Sequence, residues 1–197
     1  MAAKSSSGTT PAKSVAKKAP AKATAKPAIK AAPKPAAAPP KTDAGPQAGD
    51  AAPAFKLDGA GGEKLSLAGF KGKKLVLYFY PKDDTSGCTK EAIEFNDLRN
   101  TFAKADTAVV GMSPDSVKSH DKFREKYGLT FPLAADEDKA TLLAYGVWVE
   151  KSMYGRKYMG VERSTFLIDA KGRIARVWRK VKVPGHAEEV LAAARAL

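Results

Sequence analysis

The sequence predicts an α/β fold, a central sheet with helices on both faces, preceded by a disordered basic tail. Three observations predict it. Composition changes sharply near residue 45, from Lys, Ala and Pro to a globular mixture. Beyond that point short β-rich apolar runs alternate with stretches of helical period. The resulting order (two strands, then strand, helix, strand, helix, a further helix, two strands and a last helix) suits a sheet covered on both sides.

Residues 1–45 are almost wholly Ala, Lys, Pro, Ser and Thr. Lys18, Lys22, Lys26, Lys30 and Lys34 recur every fourth residue, a spacing that lines up on a helix. Pro20, Pro27, Pro33 and Pro35 break it. Few apolar side chains exceed alanine, so burial cannot offset the entropy of ordering. The segment is expected to be disordered and extended, partly polyproline-like. Residues 47–197 form the one folded domain.

Phe55-Lys56-Leu57 and Lys64-Leu65-Ser66-Leu67 flank Asp58-Gly59-Ala60-Gly61-Gly62 and read as a hairpin. That glycine cluster lacks the order of a phosphate loop and precedes no helix. Lys74–Tyr80 is a buried strand ended by Pro81, and Asp83–Gly87 is a polar turn cluster. Ala92, Phe95, Leu98 and Phe102 mark one helix, to about Lys104. Thr107–Met112 is a second buried strand. Ser113-Pro114-Asp115 opens the next helix, which Gly128 stops. Phe131–Leu133 is briefly extended. Asp136–Tyr145 is a short helix with Leu142 and Leu143 facing the core. Ser164–Ile168 and Ile174–Arg179 are strands about a tight Asp169–Gly172 turn, and His186–Ala196 is the closing helix.

The only cysteine of the 197 residues, Cys88, falls in or near the first turn of the first long helix. Free backbone N–H groups and the positive end of the helix dipole stabilise a thiolate there. A lone cysteine is ordinarily a small buried hydrophobe. The polar strand-to-helix turn around Cys88 favours a nucleophile instead.

Pro81, Thr85 and Cys88 match the P-x-x-x-T-x-x-C signature of peroxiredoxins, and the run Tyr78–Thr89 resembles their Q subgroup, the bacterioferritin comigratory proteins. A second segment agrees: Tyr145-Gly146-Val147-Trp148, Met153-Tyr154-Gly155, then Glu162-Arg163-Ser164-Thr165-Phe166-Leu167-Ile168-Asp169. The resemblance covers residues 47–197 and implies a thioredoxin-like fold. It also implies a thiol-dependent peroxidase that reduces hydrogen peroxide and organic hydroperoxides. Cys88 would be the peroxidatic residue. Arg163 would stabilise its thiolate and hold the peroxide, its fork of donors suiting two oxygens. Thr85 would offer its hydroxyl to the peroxide, and Pro81 would shield the sulfur. Backbone N–H groups near Gly87 and Cys88 would stabilise developing charge.

Two positions depart from the family pattern. Ser86 stands where proline is common. Ile93 stands where many Q-type members carry a resolving cysteine, and its place on the helix turns it away from Cys88 toward the core. The cycle then needs an external thiol: thioredoxin, glutaredoxin, a low-molecular-weight thiol, or Cys88 of a second chain. Glu91 reads as an ordinary acid of a helix's first turn. Lys82, Asp83 and Asp84 read as solvated, His120 and His186 as surface helix residues, and Trp148 and Tyr154 as core packing.

One cysteine excludes an internal disulfide and a cysteine-ligated zinc site, and no metal or other cofactor is expected. No apolar run approaches the ~20 residues that span a bilayer. The formal net charge is +13. Nine lysines against Asp43 and Asp50 leave seven of those charges in residues 1–50. Charge so concentrated suggests an anionic partner for the tail, such as non-specific DNA. The expected setting is the cytoplasm, with nucleoid or nuclear association through the tail. A secretory signal has no apolar region here, and missing arginines and many prolines disfavour a transit peptide. The oligomeric state is left between monomer and weak dimer. Two rival readings remain: a DNA-associated protein whose tail dominates, and an inactive thioredoxin-like interaction domain. The intact Pro81, Thr85, Cys88 and Arg163 set argues against the second. DNA retention by the isolated tail discriminates the first.

Overall fold

The computed structural model describes residues 45–197, so the expected disorder of the tail lies outside the described residues. The expected hairpin forms from β1 (Lys56–Gly59) and β2 (Lys64–Ser66), joined by a 3-10 turn. Then follow β3 (Lys74–Phe79), α1 (Ser86–Lys104), β4 (Thr107–Ser113), α2 (Val117–Tyr127), β5 (Leu133–Ala135) and α3 (Ala140–Ala144). The chain ends with β6 (Trp148–Met153), β7 (Arg156–Val161), β8 (Ser164–Ile168), β9 (Ile174–Trp178) and α4 (His186–Ala196).

Seven strands make one sheet in the order β2-β1-β5-β4-β3-β8-β9. The centre is parallel, β3 to β4 and β4 to β5, and antiparallel strands close both edges. β3 is buried along almost its whole length because both of its faces are covered. Its side chains alternate. Val76, Tyr78 and Tyr80 pack with Phe95 and Phe102 of α1, Phe123 of α2 and Val190 of α4. Leu75, Leu77 and Phe79 pack with Phe166, Ile168, Tyr145 and Leu142 of α3. Helices thus cover both faces, three long ones on one and short α3 on the other.

The differences from expectation are local. β6 and β7 form a separate two-stranded hairpin, in register from Trp148↔Val161 to Met153↔Arg156, which the sequence does not announce. Its β7 residues Arg156–Met159 are exposed, so no buried face imprints a pattern of alternation. Tyr154, at its tip, is 97% exposed rather than packed in the core. α2 begins at Val117, not at Ser113, because the Asp115 carboxylate accepts from Ser113 Oγ and the Ser116 hydroxyl caps the helix. The 136–145 helix is shorter than expected. Asp136 stays outside it and accepts from Leu142 N (2.8 Å), while Leu143 is exposed. His120 and His186 are buried, each with a polar partner that makes burial tolerable. Ile93 is 38% exposed and so lies on the outer surface of α1 rather than in the core.

Candidate active site

β3 delivers the chain to the C-terminal edge of the sheet. There Tyr80 N still pairs with Met112 O (3.1 Å), and half-buried Pro81 turns the chain out of the strand. α1 starts five residues later, with Thr85 as its N-cap residue in an extended conformation. The first backbone bond of the helix runs from Thr89 N to Thr85 O (2.8 Å). Ser86, Gly87 and Cys88 are therefore the first three helical residues, whose N–H groups have no carbonyl one turn back. Their amides and the positive helix end lie in the same turn as Cys88. Cys88 is 2% exposed.

A distant part of the sequence reaches the same point. Arg163 leads from β7 into β8, and its carbonyl accepts from Val181 N (3.0 Å), which fixes its backbone. Its Nη2 donates to Cys88 Sγ at 3.3 Å, and its Nη1 donates to Glu91. A Cβ at Gly87 would stand 3.4 Å from Nη2, which places the guanidinium against the first turn of α1. Glu91 sits one turn beyond Cys88, on the same face of α1. Its carboxylate is almost wholly buried, and its second oxygen has no hydrogen-bond partner within the described residues. Burial pushes Glu91 up to about 7, against the pull of Arg163. The pairing with Glu91 and Cys88 raises Arg163 despite its own desolvation, so the guanidinium stays charged.

Of the four residues singled out in sequence, Cys88 and Arg163 are in direct contact. Thr85 is exposed, and its hydroxyl donates to Lys82 O (3.1 Å) without capping the helix. Pro81 shapes the turn. Glu91 joins the site although the sequence reading set it aside; its position three residues after Cys88 was the available signal. Asp83 is the second omission. It is buried rather than solvated, accepting from Tyr80 OH (2.7 Å) and Ser119 Oγ (2.7 Å), with His120 Nδ1 at 2.8 Å. Its own N–H donates to Asp115 (2.8 Å), which ties the turn to the start of α2.

The arrangement suits one reaction type: a sulfur nucleophile with a fixed cation and free amides placed for an oxygen that gains charge. Comparison with known proteins points the same way. The family model described as the AhpC/TSA family matches residues 48–177. A protein of Coxiella burnetii named "Putative peroxiredoxin bcp" is 54% identical over 143 residues, 73% of this chain and 95% of its own. "Peroxiredoxin Bcp" of Bacillus subtilis is 50% identical over 143 residues, 73% of this chain and 91% of its own. The solved structure of Xanthomonas campestris peroxiredoxin Q has a TM-score of 0.70 at 50% identity, covering 72% of this chain and 90% of that one. On these grounds the chain belongs to the AhpC/TSA family, as a peroxiredoxin of the Q or bacterioferritin comigratory protein type.

Proposed function

We propose that this thiol peroxidase works with Cys88 as its single peroxidatic residue and an external thiol as its reductant. The observation that carries the reading is the 3.3 Å contact between Arg163 Nη2 and a sulfur at the start of α1. The Cys88 thiolate attacks one oxygen of a hydroperoxide. The S–O bond forms as the O–O bond breaks, giving the sulfenic acid, and the departing oxygen takes a proton to leave as water or an alcohol. Arg163 and the first-turn amides stabilise charge on both oxygens. Thr85 gives up its bond to Lys82 O and turns its hydroxyl to the incoming peroxide. Pro81 keeps bulk water from the sulfur.

A thiol R′SH then condenses with the sulfenic acid, forming a mixed disulfide and water. A second thiol displaces Cys88 and leaves R′SSR′. No second cysteine exists to take the first thiol's place. The related Xanthomonas campestris bacterioferritin comigratory protein is described through its alkyl peroxide reduction activity, which favours organic hydroperoxides beside hydrogen peroxide as substrates here. The reductant is a small thiol, thioredoxin or glutaredoxin, and the setting is a reducing cytoplasm. The basic tail adds a separate, non-specific contact with DNA, a reading that rests on its lysines alone.

Cys88→Ser tests the central claim. The variant should lose peroxide consumption to the background rate with dithiothreitol, and its intact mass should not change with one equivalent of peroxide. Turnover at the wild-type rate would remove Cys88 from the mechanism.

A further inference from the structure

The β6–β7 hairpin carries side chains that the fold does not use. Trp148 and Val161, paired at its base, pack on the core. From that base β6 runs six residues, roughly 20 Å. The pairing of Met153 with Arg156 leaves Tyr154 and Gly155 as the turn, and both have positive φ (51° and 76°). Such a turn favours asparagine, aspartate or glycine at its first position. A tyrosine takes up that left-handed backbone at a cost, yet Tyr154 is 97% exposed and adds nothing to the core.

Successive residues of a strand point to opposite faces. Tyr158, Lys151 and Arg156 therefore share one face of the hairpin, and Met159, Lys157 and Glu150 the other. Tyr158 and Met159 are 45% and 49% exposed. Lys157 pairs with Glu150 (2.9 Å), whereas Lys151 and Arg156 have no carboxylate partner among the described residues. Apolar groups and cations thus lie on both faces and at the tip. A nucleic-acid strand or a flat protein surface laid against one face would meet only half of them. A lipid–water interface that the tip enters meets them all, with tyrosines at the headgroup level and cations against anionic headgroups.

We propose that the tip of the β6–β7 hairpin seats the protein on an anionic lipid surface and so brings its site to hydroperoxides carried on acyl chains. The hairpin leads directly to that site. β7 ends at Val161, two residues before Arg163. A cavity of about 370 Å³ between the hairpin and the arginine is lined by Val149, Lys151, Arg163, Lys180 and Val181. The two valines give it apolar wall for an acyl chain, and the two lysines give it positive charge. Glu150 and Glu162, which also line it, are already paired with Lys157 and Arg179. Tyr154, Lys151 and Arg156 are positioning residues that touch neither peroxide nor sulfur. Delivery of the hydroperoxide rests on Cys88 being the peroxidatic residue; the lipid contact does not.

The full-length chain is tested on vesicles of phosphatidylcholine with about one-third phosphatidylglycerol, which gives a negative surface. The nine tail lysines are drawn to the same vesicles, so the signal must be local to the hairpin. Tyr154→Trp adds a third tryptophan to the two present, and its emission minus that of wild type reports position 154 alone. On vesicles that difference should shift to the blue and be quenched by lipid brominated near the headgroup. Both effects should fade between about 0.05 and 0.5 M salt. With acyl hydroperoxide in the vesicles and dithiothreitol as reductant, Tyr154→Ser should turn over about fivefold slower than wild type for the lost anchor. Lys151→Gln combined with Arg156→Gln should lose about fivefold per charge. Tyr154→Trp should keep the wild-type rate, and every variant should consume hydrogen peroxide in free solution as wild type does. Difference emission unmoved by vesicles that sediment the chain, or equal rates on lipid hydroperoxide in wild type and Tyr154→Ser, would overturn the contact. A shift with a single-stranded oligonucleotide and none with vesicles would overturn it in favour of nucleic acid. Failure of wild type to consume hydrogen peroxide would instead overturn the assignment of Cys88, and the emission test would still decide the contact.

Discussion

Glu91 has one oxygen bonded to Arg163 and the other enclosed without a partner. Burial therefore wins over the ion pair, and the carboxyl titrates near 7 instead of near its ordinary 4.5. The folded chain then binds a proton that the unfolded chain has lost between those values. That contribution to stability is fully present below pH ~4.5 and disappears as pH rises through ~7. A shift of this size corresponds to on the order of 3 kcal/mol. His186 acts in the opposite sense. Burial lowers it to about 4, so its contribution is present above pH ~6.5 and lost as pH falls through ~4. Comparing wild type with Glu91→Gln cancels the histidine. The wild-type stability minus that of the variant, from urea unfolding, should fall as pH rises from 5 to 8. A difference independent of pH would mean that Glu91 is ionised throughout. Sequence patterning conveys none of this, because the shift comes from burial by the rest of the fold, and Arg163, which opposes it, lies far away along the chain.

At the scale of elements, legibility followed burial. β3, β4, β8 and β9 lie in the main sheet with β3 and β8 buried almost throughout, and apolar runs announced them all. α1 carried Ala92, Phe95 and Phe102 at helical spacing and starts where the polar turn ends. Apart from Trp148 and Val161 at its base, which pack on the core, the β6–β7 hairpin lies outside it, so its strands left no such trace. Asp83 and His120 were misread for a related reason: a polar residue reads as exposed until its buried partners are known. Ile93 was misread because helical rotation away from Cys88 says nothing about whether core or solvent lies on that side. Its exposure changes one expectation. Ile93→Cys removes a partly exposed side chain and should cost about 1 kcal/mol or less in stability. Along an intact helix positions 88 and 93 are roughly 8–9 Å apart at Cα, beyond the ~7 Å that a disulfide spans. The internal bond can close only when the first turn of α1 opens. Peroxide-treated Ile93→Cys should show that disulfide by mass, and less sulfinic acid than wild type after repeated turnover. Equal sulfinic acid in both, with no disulfide in the variant, would show that the first turn does not open far enough.

The whole molecule combines a body that encloses its own site with a tail that holds a large share of the charge. Every contact described for Cys88, Arg163, Glu91 and Asp83 lies within residues 45–197. The start of that body is tied in by Gly49 N to Ile174 O (2.7 Å) and by the bridge between Ala51 and Arg173. Removing residues 1–44 spares these bonds and takes away nine lysines and Asp43. The truncated chain should unfold within about 2 °C of the full one, since no described core contact is lost. Its rate with peroxide and dithiothreitol should be unchanged. DNA retention should differ. If all nine lysines meet phosphates, each releases condensed counterions, and the logarithm of affinity should fall against the logarithm of salt with a slope approaching about −8. Where fewer than nine lysines meet the duplex at one time, the measured slope should be shallower. Binding should be indifferent to sequence, because lysine on phosphate reads no base. Filter retention of a random duplex at low salt, by the full and the truncated chain, decides the matter. Equal retention by both would place the DNA contact on the body or deny it altogether, and the tail would then have no anionic partner of this kind.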